Sequence, residues 1–405
     1  MFRLLDKIHN PFKSIVLTIC IVISIASNGN CQPIKCGTDE YYRGLSFTNT
    51  LNKKNIQLES RSPIILPVVV HIVWNKPEEN LSELAIQHQM ERLNIDFNNS
   101  LINNRGVPKE FAKLIGNPSI RFCLATKGPD GKKSSGIIRV KTSNETIGSQ
   151  KDNADKFFIN HSSLGGSDAW DPEHYINIWV GNLENIFGRS SIGGMVKSKD
   201  EDGIVIDPDA FIADPDNNLL GRTLVHEMGH YLGLKHLWGQ KIGDCDEDDG
   251  LADTPAQLGP YFGCPSSPQK SCGNNNMFMN FMDFVDDRCM YFFSKDQATL
   301  MNSILKNERP GLLTNSDLCT LDVETPMLNT IIARNSHNNL LIESKSTLSE
   351  PITYLIASIS GQKMVSGEIF ILPKYEINIK DWPTGIYFLY FRYIKEHRVI
   401  KFLKT

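Results

Sequence analysis

The sequence predicts an α+β domain followed by a small all-β sandwich. Three observations carry that reading. The chain has 405 residues, a length that suits two or three folded units. Up to about residue 320, β-branched apolar runs alternate with helical stripes. Beyond it only short β-rich runs remain, with no helical stripe between them. Composition fits a globular protein, with 40% hydrophobic and 22% charged residues. Forty-two Lys+Arg against 46 Asp+Glu give a net charge of −4. That lacks the basic excess of a nucleic-acid binder, so no nucleic-acid partner is expected. No apolar run past the N-terminus is long enough for a stable membrane span.

The elements follow in order. Arg3, Lys7 and Lys13 precede an apolar run from Ile15 to Ala26, so residues 1–31 read as a secretory signal with its cleavage point open. Residues 32–61 are polar with weak periodicity and read as a propeptide or linker. The segment IILPVVVHIVW at 64–74 is a buried strand. Leu81, Leu84, Ala85, Met90, Leu93 and Phe97 form a helical stripe. Strands are expected at 120–125, 137–140 and 175–180, and two short ones within 193–206. Helices are expected at 219–232 and 293–305. Together these make a domain over 62–320 built on a mixed twisted sheet. Strand-like runs at 340–342, 352–359, 375–379, 386–393 and 399–403 make the second unit, 326–405, with a boundary near Thr325-Pro326.

There are nine cysteines, of which Cys20 lies in the signal. An exported chain permits disulfides. Cys245, Cys264, Cys272 and Cys289 cluster in a loop-rich stretch with little to bury, where two disulfides would substitute for a core. A zinc site is the alternative, but no C-x-x-C spacing occurs. Cys36, Cys123 and Cys319 stand apart, and whether the last two pair stays open.

The chemistry concentrates in residues 226–236, HEMGHYLGLKH. His226 and His230 are four apart, which on a helix is about 400° of rotation and roughly 6 Å of rise, so both imidazoles face one side. Glu227 lies beside them as a general base. Gly233 can leave the helix with positive φ and return His236 as a third ligand. Three neutral histidines with one open position describe a catalytic zinc site. Leu220, Leu224 and Met228 form an apolar face that explains a packed helix. They do not explain three histidines, a glutamate and a glycine in register.

H-E-x-x-H-x-x-G-x-x-H is the metzincin signature, and its flanks resemble the pappalysin family. Those flanks are Gly221-Arg-Thr-Leu before it, Leu237-Trp238-Gly239, Cys245 and Asp253-Thr254-Pro255 after it, then Asn280-Phe-Met-Asp283 and Cys289-Met290. The resemblance covers about residues 60–310 and implies a metzincin-type zinc protease with an active-site helix. It implies that Met282 is the Met-turn methionine beneath the metal site. It implies that Asp287 lines the pocket for the residue after the scissile bond, selecting Arg or Lys. It implies the pairs Cys245–Cys272 and Cys264–Cys289. It places Asp248, Asp249 and Asp253 in a loop where relatives bind calcium. Many relatives carry Tyr two residues after the Met-turn methionine; here that position is Phe284, so the hydroxyl is absent and an altered rate is expected.

Lys35-Cys36-Gly37-Thr38 resembles the family's propeptide segment, with Cys36 as a latency ligand for zinc; a disulfide partner such as Cys31 is the other reading. Arg61 ends the propeptide, making Ser60–Arg61 a candidate self-activation bond. In the second unit, Ile359-Ser-Gly-Gln362, Thr384-Gly-Ile-Tyr-Phe388 and Arg398–Lys404 resemble the type IX secretion sorting domain of Bacteroidota, which implies that machinery as a partner. Its usual Pro-rich opening is replaced by Ala333-Arg-Asn-Ser336, and a carbohydrate- or partner-binding sandwich is the alternative. The expectation is therefore a secreted or surface zinc endopeptidase, made as a zymogen, acting on proteins or peptides. The rival from another class is a non-catalytic, zinc-stabilised adhesion or binding protein.

Overall fold

The computed structural model describes residues 35–41, 63–98, 107–193, 195, 198–212, 219–319, 331–336, 338–344, 351–360, 362–369, 374–393 and 396–404. The expected signal at 1–31, residues 42–61 of the expected propeptide, the Ser60–Arg61 bond and the boundary at Thr325-Pro326 lie outside these residues.

The first unit is α+β, as the sequence predicted. Its strands are β1 (Ile64–Trp74), β2 (Ile120–Leu124), β3 (Ile137–Lys141), β4 (Ile176–Val180), β5 (Gly188–Ser190) and β6 (Gly203–Ile206). Their order is β2-β1-β4-β6-β5. The first half of β1 pairs with β2 and its second half with β3, while β4 lies along its other side, all parallel. Only β5 runs antiparallel, on β6, and it forms an edge. Strand β1 alternates between two buried faces. Leu66, Val68, Val70 and Ile72 face the main core, while Val69 and Val73 enter separate clusters on the other side. Burial on both faces explains why its sequence is an unbroken apolar run rather than an alternation.

Three longer helices share the core of this sheet. Helix α1 (Glu83–Phe97) starts where the Ser82 hydroxyl accepts the Ala85 N–H, which sets its first turn two residues after the start of the apolar stripe. Helix α2 (Arg222–Tyr231) follows Gly221, whose φ of +77° holds the chain out of the helix until Arg222. Helix α3 (Lys295–Asn307) is entered through a reciprocal Ser294–Gln297 capping box. Leu224, Val225 and Met228 of α2 join Leu93 and Phe97 of α1 and Met301 and Ile304 of α3 in one core.

Of the two strands expected within 193–206, one is present as β6. The other lies upstream as β5, whose sequence Gly-Arg-Ser gives no apolar signal. The Cys-rich region contains a two-residue ribbon, β7 (Lys270–Ser271) with β8 (Asn274–Asn275), and its pairs are Cys245–Cys272 and Cys264–Cys289. Cys123 pairs with Cys319 across 196 residues, the pairing that the sequence left open.

The second unit has two antiparallel sheets. One holds β9 (Ile331–Ser336), β10 (Asn339–Ser344) and β13 (Lys374–Asn378), in the order β13-β10-β9. The other holds β11 (Ile352–Ser358), β12 (Lys363–Ile369), β14 (Gly385–Tyr393) and β15 (Glu396–Lys404), in the order β12-β11-β14-β15. Leu340, Ile342, Ile356, Leu389 and Phe391 form its core. Strands β9 and β12 were not expected, because polar residues dilute their alternation.

Candidate metal centre and the segment that covers it

Helix α2 carries His226, Glu227 and His230 on one face, all fully buried. Leu232 ends the helix, and Gly233 turns the chain at φ +92°. A Cβ at Gly233 would lie 2.6 Å from Ile304 Cγ1, so both the conformation and the space require glycine. The turn returns His236 to the site. The three Nε2 atoms are 3.2, 3.1 and 3.1 Å apart. Nitrogen ligands about 2.0–2.1 Å from a tetrahedral ion stand roughly 3.3 Å from one another.

The tautomers make that spacing informative. His226 Nδ1 donates to Phe281 O at 2.7 Å, His230 Nδ1 to Leu234 O at 2.8 Å, and His236 Nδ1 to Asp39 Oδ2 at 2.7 Å. Each proton is thus committed on the outer nitrogen, and three Nε2 lone pairs converge with no hydrogen between them. Burial pushes His226 well down and His230 to about 3, so neither carries charge. Converging lone pairs on neutral rings repel unless a cation sits among them. The donor set therefore fits zinc.

Beneath the ring lies Met282, fully buried. A Cβ on Gly229 of α2 would come 2.5 Å from its Sδ, so the helix and the methionine touch where the glycine leaves room. Asn280 fixes this turn by accepting the Met282 N–H and bonding the Gln297 amide of α3. Phe284 stands edge-on to His236 at 4.9 Å between centroids and to Trp238 at 5.0 Å. Trp238 in turn stacks on His236. The position expected to lack a hydroxyl therefore packs directly against the His236 ring.

Residues 35–39 lie across this centre. Cys36 Sγ is 3.5 Å from His230 Nε2, and with the three histidines it forms a set of ligand atoms lying within 4.8 Å of one another. Burial, then the charges of Glu227 and Asp39, push its thiol up; a thiolate there needs a cation in contact. Thr38 Oγ1 donates to Glu227 Oε2 at 3.0 Å, and the Glu227 Oε1 atom is buried with no hydrogen-bond partner. Burial raises Glu227 to about 7. Gly37 N donates to Gly188 O of β5, and Ser190 N donates to Thr38 Oγ1, so the segment attaches to the open edge of the sheet.

Lys35 enters the pocket of Asp287. Its Nζ meets Asp287 Oδ1 at 2.9 Å and Val285 O at 2.8 Å. Asp287 Oδ2 accepts the main-chain N–H of Leu220 and Arg222 at the start of α2. Burial alone would raise Asp287; Lys35 and those two N–H groups hold it below the usual carboxylate range. Arg222 also donates to the Asp287 carbonyl, while Asp96 of α1 accepts from its guanidinium.

The carboxylates of the acidic loop are engaged mainly in bonds to nearby main-chain and hydroxyl groups. Asp253 spends both oxygens on the start of α3, taking the Ser294 hydroxyl and the Asp296 N–H. Asp249 is buried, accepts from Leu251 N and Thr254 Oγ1 through Oδ1, and leaves Oδ2 without a hydrogen-bond partner. Asp248 caps Gly250 N. Among the described residues, the only convergent set of three or more ligand atoms is the one at Cys36, so Asp248, Asp249 and Asp253 do not come together as a three-carboxylate site.

The structure brings together His226, His230, His236 and Cys36, with Glu227, Met282 and Asp287 around them, all residues that the sequence singled out. Sequence reasoning missed the roles of Lys35, Thr38 and Asp39. One signal was available: a lysine directly beside a cysteine read as a candidate zinc ligand is a natural partner for a candidate acidic residue near the same site.

Comparison with known proteins agrees with this geometry. The peptidase family described as pregnancy-associated plasma protein-A matches residues 161–306. An extracellular metalloprotease of Arthroderma benhamiae is 46% identical over 93 residues, 22% of this chain and 34% of that relative. An extracellular metalloprotease of Coccidioides posadasii is 39% identical over 95 residues. The chain thus spans about a third of these curated relatives. Mature mirolysin of Tannerella forsythia, solved with a cleaved peptide, is 37% identical with a TM-score of 0.60, covering 65% of this chain and all of that one (100%). A mutant of its precursor, promirolysin, is 34% identical with a TM-score of 0.62, covering 71% and 100%.

Proposed function

Because the chain belongs to the pappalysin family of metalloproteases, we propose that it is a secreted zinc endopeptidase, held latent by residues 35–39, that prefers Lys or Arg after the scissile bond. One observation carries this reading. A single short segment sets a basic side chain on Asp287, a thiol beside three imidazoles and a hydroxyl on Glu227. Those are the contacts a peptide substrate would make, occupied in the precursor.

His226, His230 and His236 would hold the zinc. When bound, the ion acidifies water and polarises the scissile carbonyl. Glu227, buried against the imidazoles, takes the proton of the attacking water and passes it to the leaving amine. Asp287 seats the cation of the following residue through Oδ1, because Oδ2 is already held by two N–H groups. The edge of β5 takes an extended backbone by strand addition.

Chelator-sensitive cleavage of a peptide library tests activity and preference together. Glu227→Ala should keep its metal and lose about 10³-fold or more in rate; cleavage at the parent rate would sink the assignment. A chain that binds zinc and cleaves nothing would support the adhesion reading instead.

Three narrower readings go with it. Self-activation at Ser60–Arg61 requires that Glu227→Ala remain unprocessed on N-terminal sequencing. The all-β unit serves export by resemblance to the type IX sorting domain; removing residues 326–405 should then trap the protein in the periplasm, while normal export with weakened adhesion would argue for a binding module. Calcium in the 248–253 loop is supported by the partnerless Asp249 Oδ2 and not by Asp253. A rise in melting temperature on adding calcium, lost in Asp249→Asn, checks it.

A further inference from the structure

The three metal-binding histidines are not supported alike. Two donate their outer proton to main-chain carbonyls of the catalytic unit, His226 to Phe281 O and His230 to Leu234 O. The third, His236, donates to Asp39 Oδ2 at 2.7 Å, and Asp39 belongs to the covering segment that the proposed maturation would remove. Partners of this kind fix the tautomer and ring orientation of a metal ligand, and losing one costs about 10–100-fold in metal affinity. His236 is also the ligand outside helix α2, carried on the turn at Gly233. Its other contacts, the stacked Trp238 and edge-on Phe284, restrain the ring plane but accept no hydrogen bond.

We propose that Asp39 is a positioning residue of the metal centre: by accepting the Nδ1 proton of His236 it completes the ligand set in the precursor, so that removing the segment loosens the hold on zinc. Latency and metal loading are then one device. The precursor acquires zinc with three oriented imidazoles and the Cys36 sulfur. The mature enzyme keeps two imidazoles fixed by its own main chain and a third that must find water for its outer proton. Maturation therefore weakens zinc binding beyond the loss of the Cys36 ligand. This rests on the zinc reading above.

The test uses the full chain carrying Glu227→Ala, so that no self-processing intervenes, and reads zinc affinity by competition with a chromophoric chelator. Asp39→Ala should weaken zinc binding about 10–100-fold. Asp39→Asn, which keeps an accepting oxygen without the charge, should lose less and serves as the readout if Asp39→Ala does not fold. The decisive comparison repeats Asp39→Ala in a Cys36→Ala background. Action through His236 predicts the same factor there. An unchanged affinity in Asp39→Ala, or a loss that disappears once Cys36 is gone, overturns the proposal, the second because Asp39 would then only anchor the thiol. A parent that holds no stoichiometric zinc overturns the metal reading and this inference with it.

Discussion

At the scale of single residues, the site is a set of groups whose free valences have been assigned in advance. Asp287 illustrates it: one oxygen is fixed by Leu220 N and Arg222 N, and the other is left for a cation. Asp287→Asn should cut the preference for Lys or Arg over an uncharged residue about 10-fold or more, measured as kcat/KM ratios on paired peptides. It should also unfold the precursor more readily than the mature enzyme, because only the precursor loses a buried ion pair with Lys35. Asp249 gives a pH prediction. Burial pushes it up to about 8, so the folded chain keeps a proton that the unfolded chain releases near pH 4. Stability from this group therefore falls as pH rises from about 4 to about 8 and then levels off. In calcium-free buffer the gain in melting temperature of Asp249→Asn over the parent should grow across that window; a constant difference would contradict it.

The secondary-structure elements translate these residues into geometry, and here legibility from sequence was uneven. Helix α2 was readable because ligand spacing, apolar face and exit glycine all repeat the helical period. Strand β5 was not, since Gly-Arg-Ser contains no hydrophobic signal and its role comes from main-chain groups. The contacts of Lys35, Thr38 and Asp39 join positions 189 to 252 residues apart, a separation no local pattern encodes. Cys36 was readable only through the resemblance of Lys35-Cys36-Gly37-Thr38 to a propeptide segment of the pappalysin family. The exit turn makes its own prediction. Gly233→Ala meets both positive φ and Ile304, and should destabilise by about 2 kcal/mol or more in urea unfolding, with metal content falling alongside as His236 shifts. Arg222 links α1 to the pocket: Asp96 holds its guanidinium, and it holds the Asp287 carbonyl. Arg222→Met should therefore lower the basic-residue preference more than it lowers cleavage of an uncharged peptide; an equal loss on both would mean that Arg222 supports the fold alone.

For the whole molecule, the two units differ in what holds them. The first joins a mostly parallel sheet, buried on both faces along β1, to three disulfides; the second is an antiparallel sandwich with no disulfide among its described residues. The bond between Cys123 and Cys319 closes the longest loop, 196 residues. By the chain-entropy account a loop of that length contributes about 5 kcal/mol at most. The double variant Cys123→Ser/Cys319→Ser should lower the melting temperature of the first unit, which calorimetry of the full chain can resolve from that of the sandwich.

The position of that bond has a further consequence. It fastens β2, at one end of the strand order, to a point upstream of β9, the first described strand of the sandwich. Everything between the two sulfurs is a covalent ring. A single nick in one of its surface loops leaves the halves tethered, so the cut chain migrates as one species without reductant and as two with it. A cut between 319 and 331 instead sheds the tail whole and leaves the ring intact.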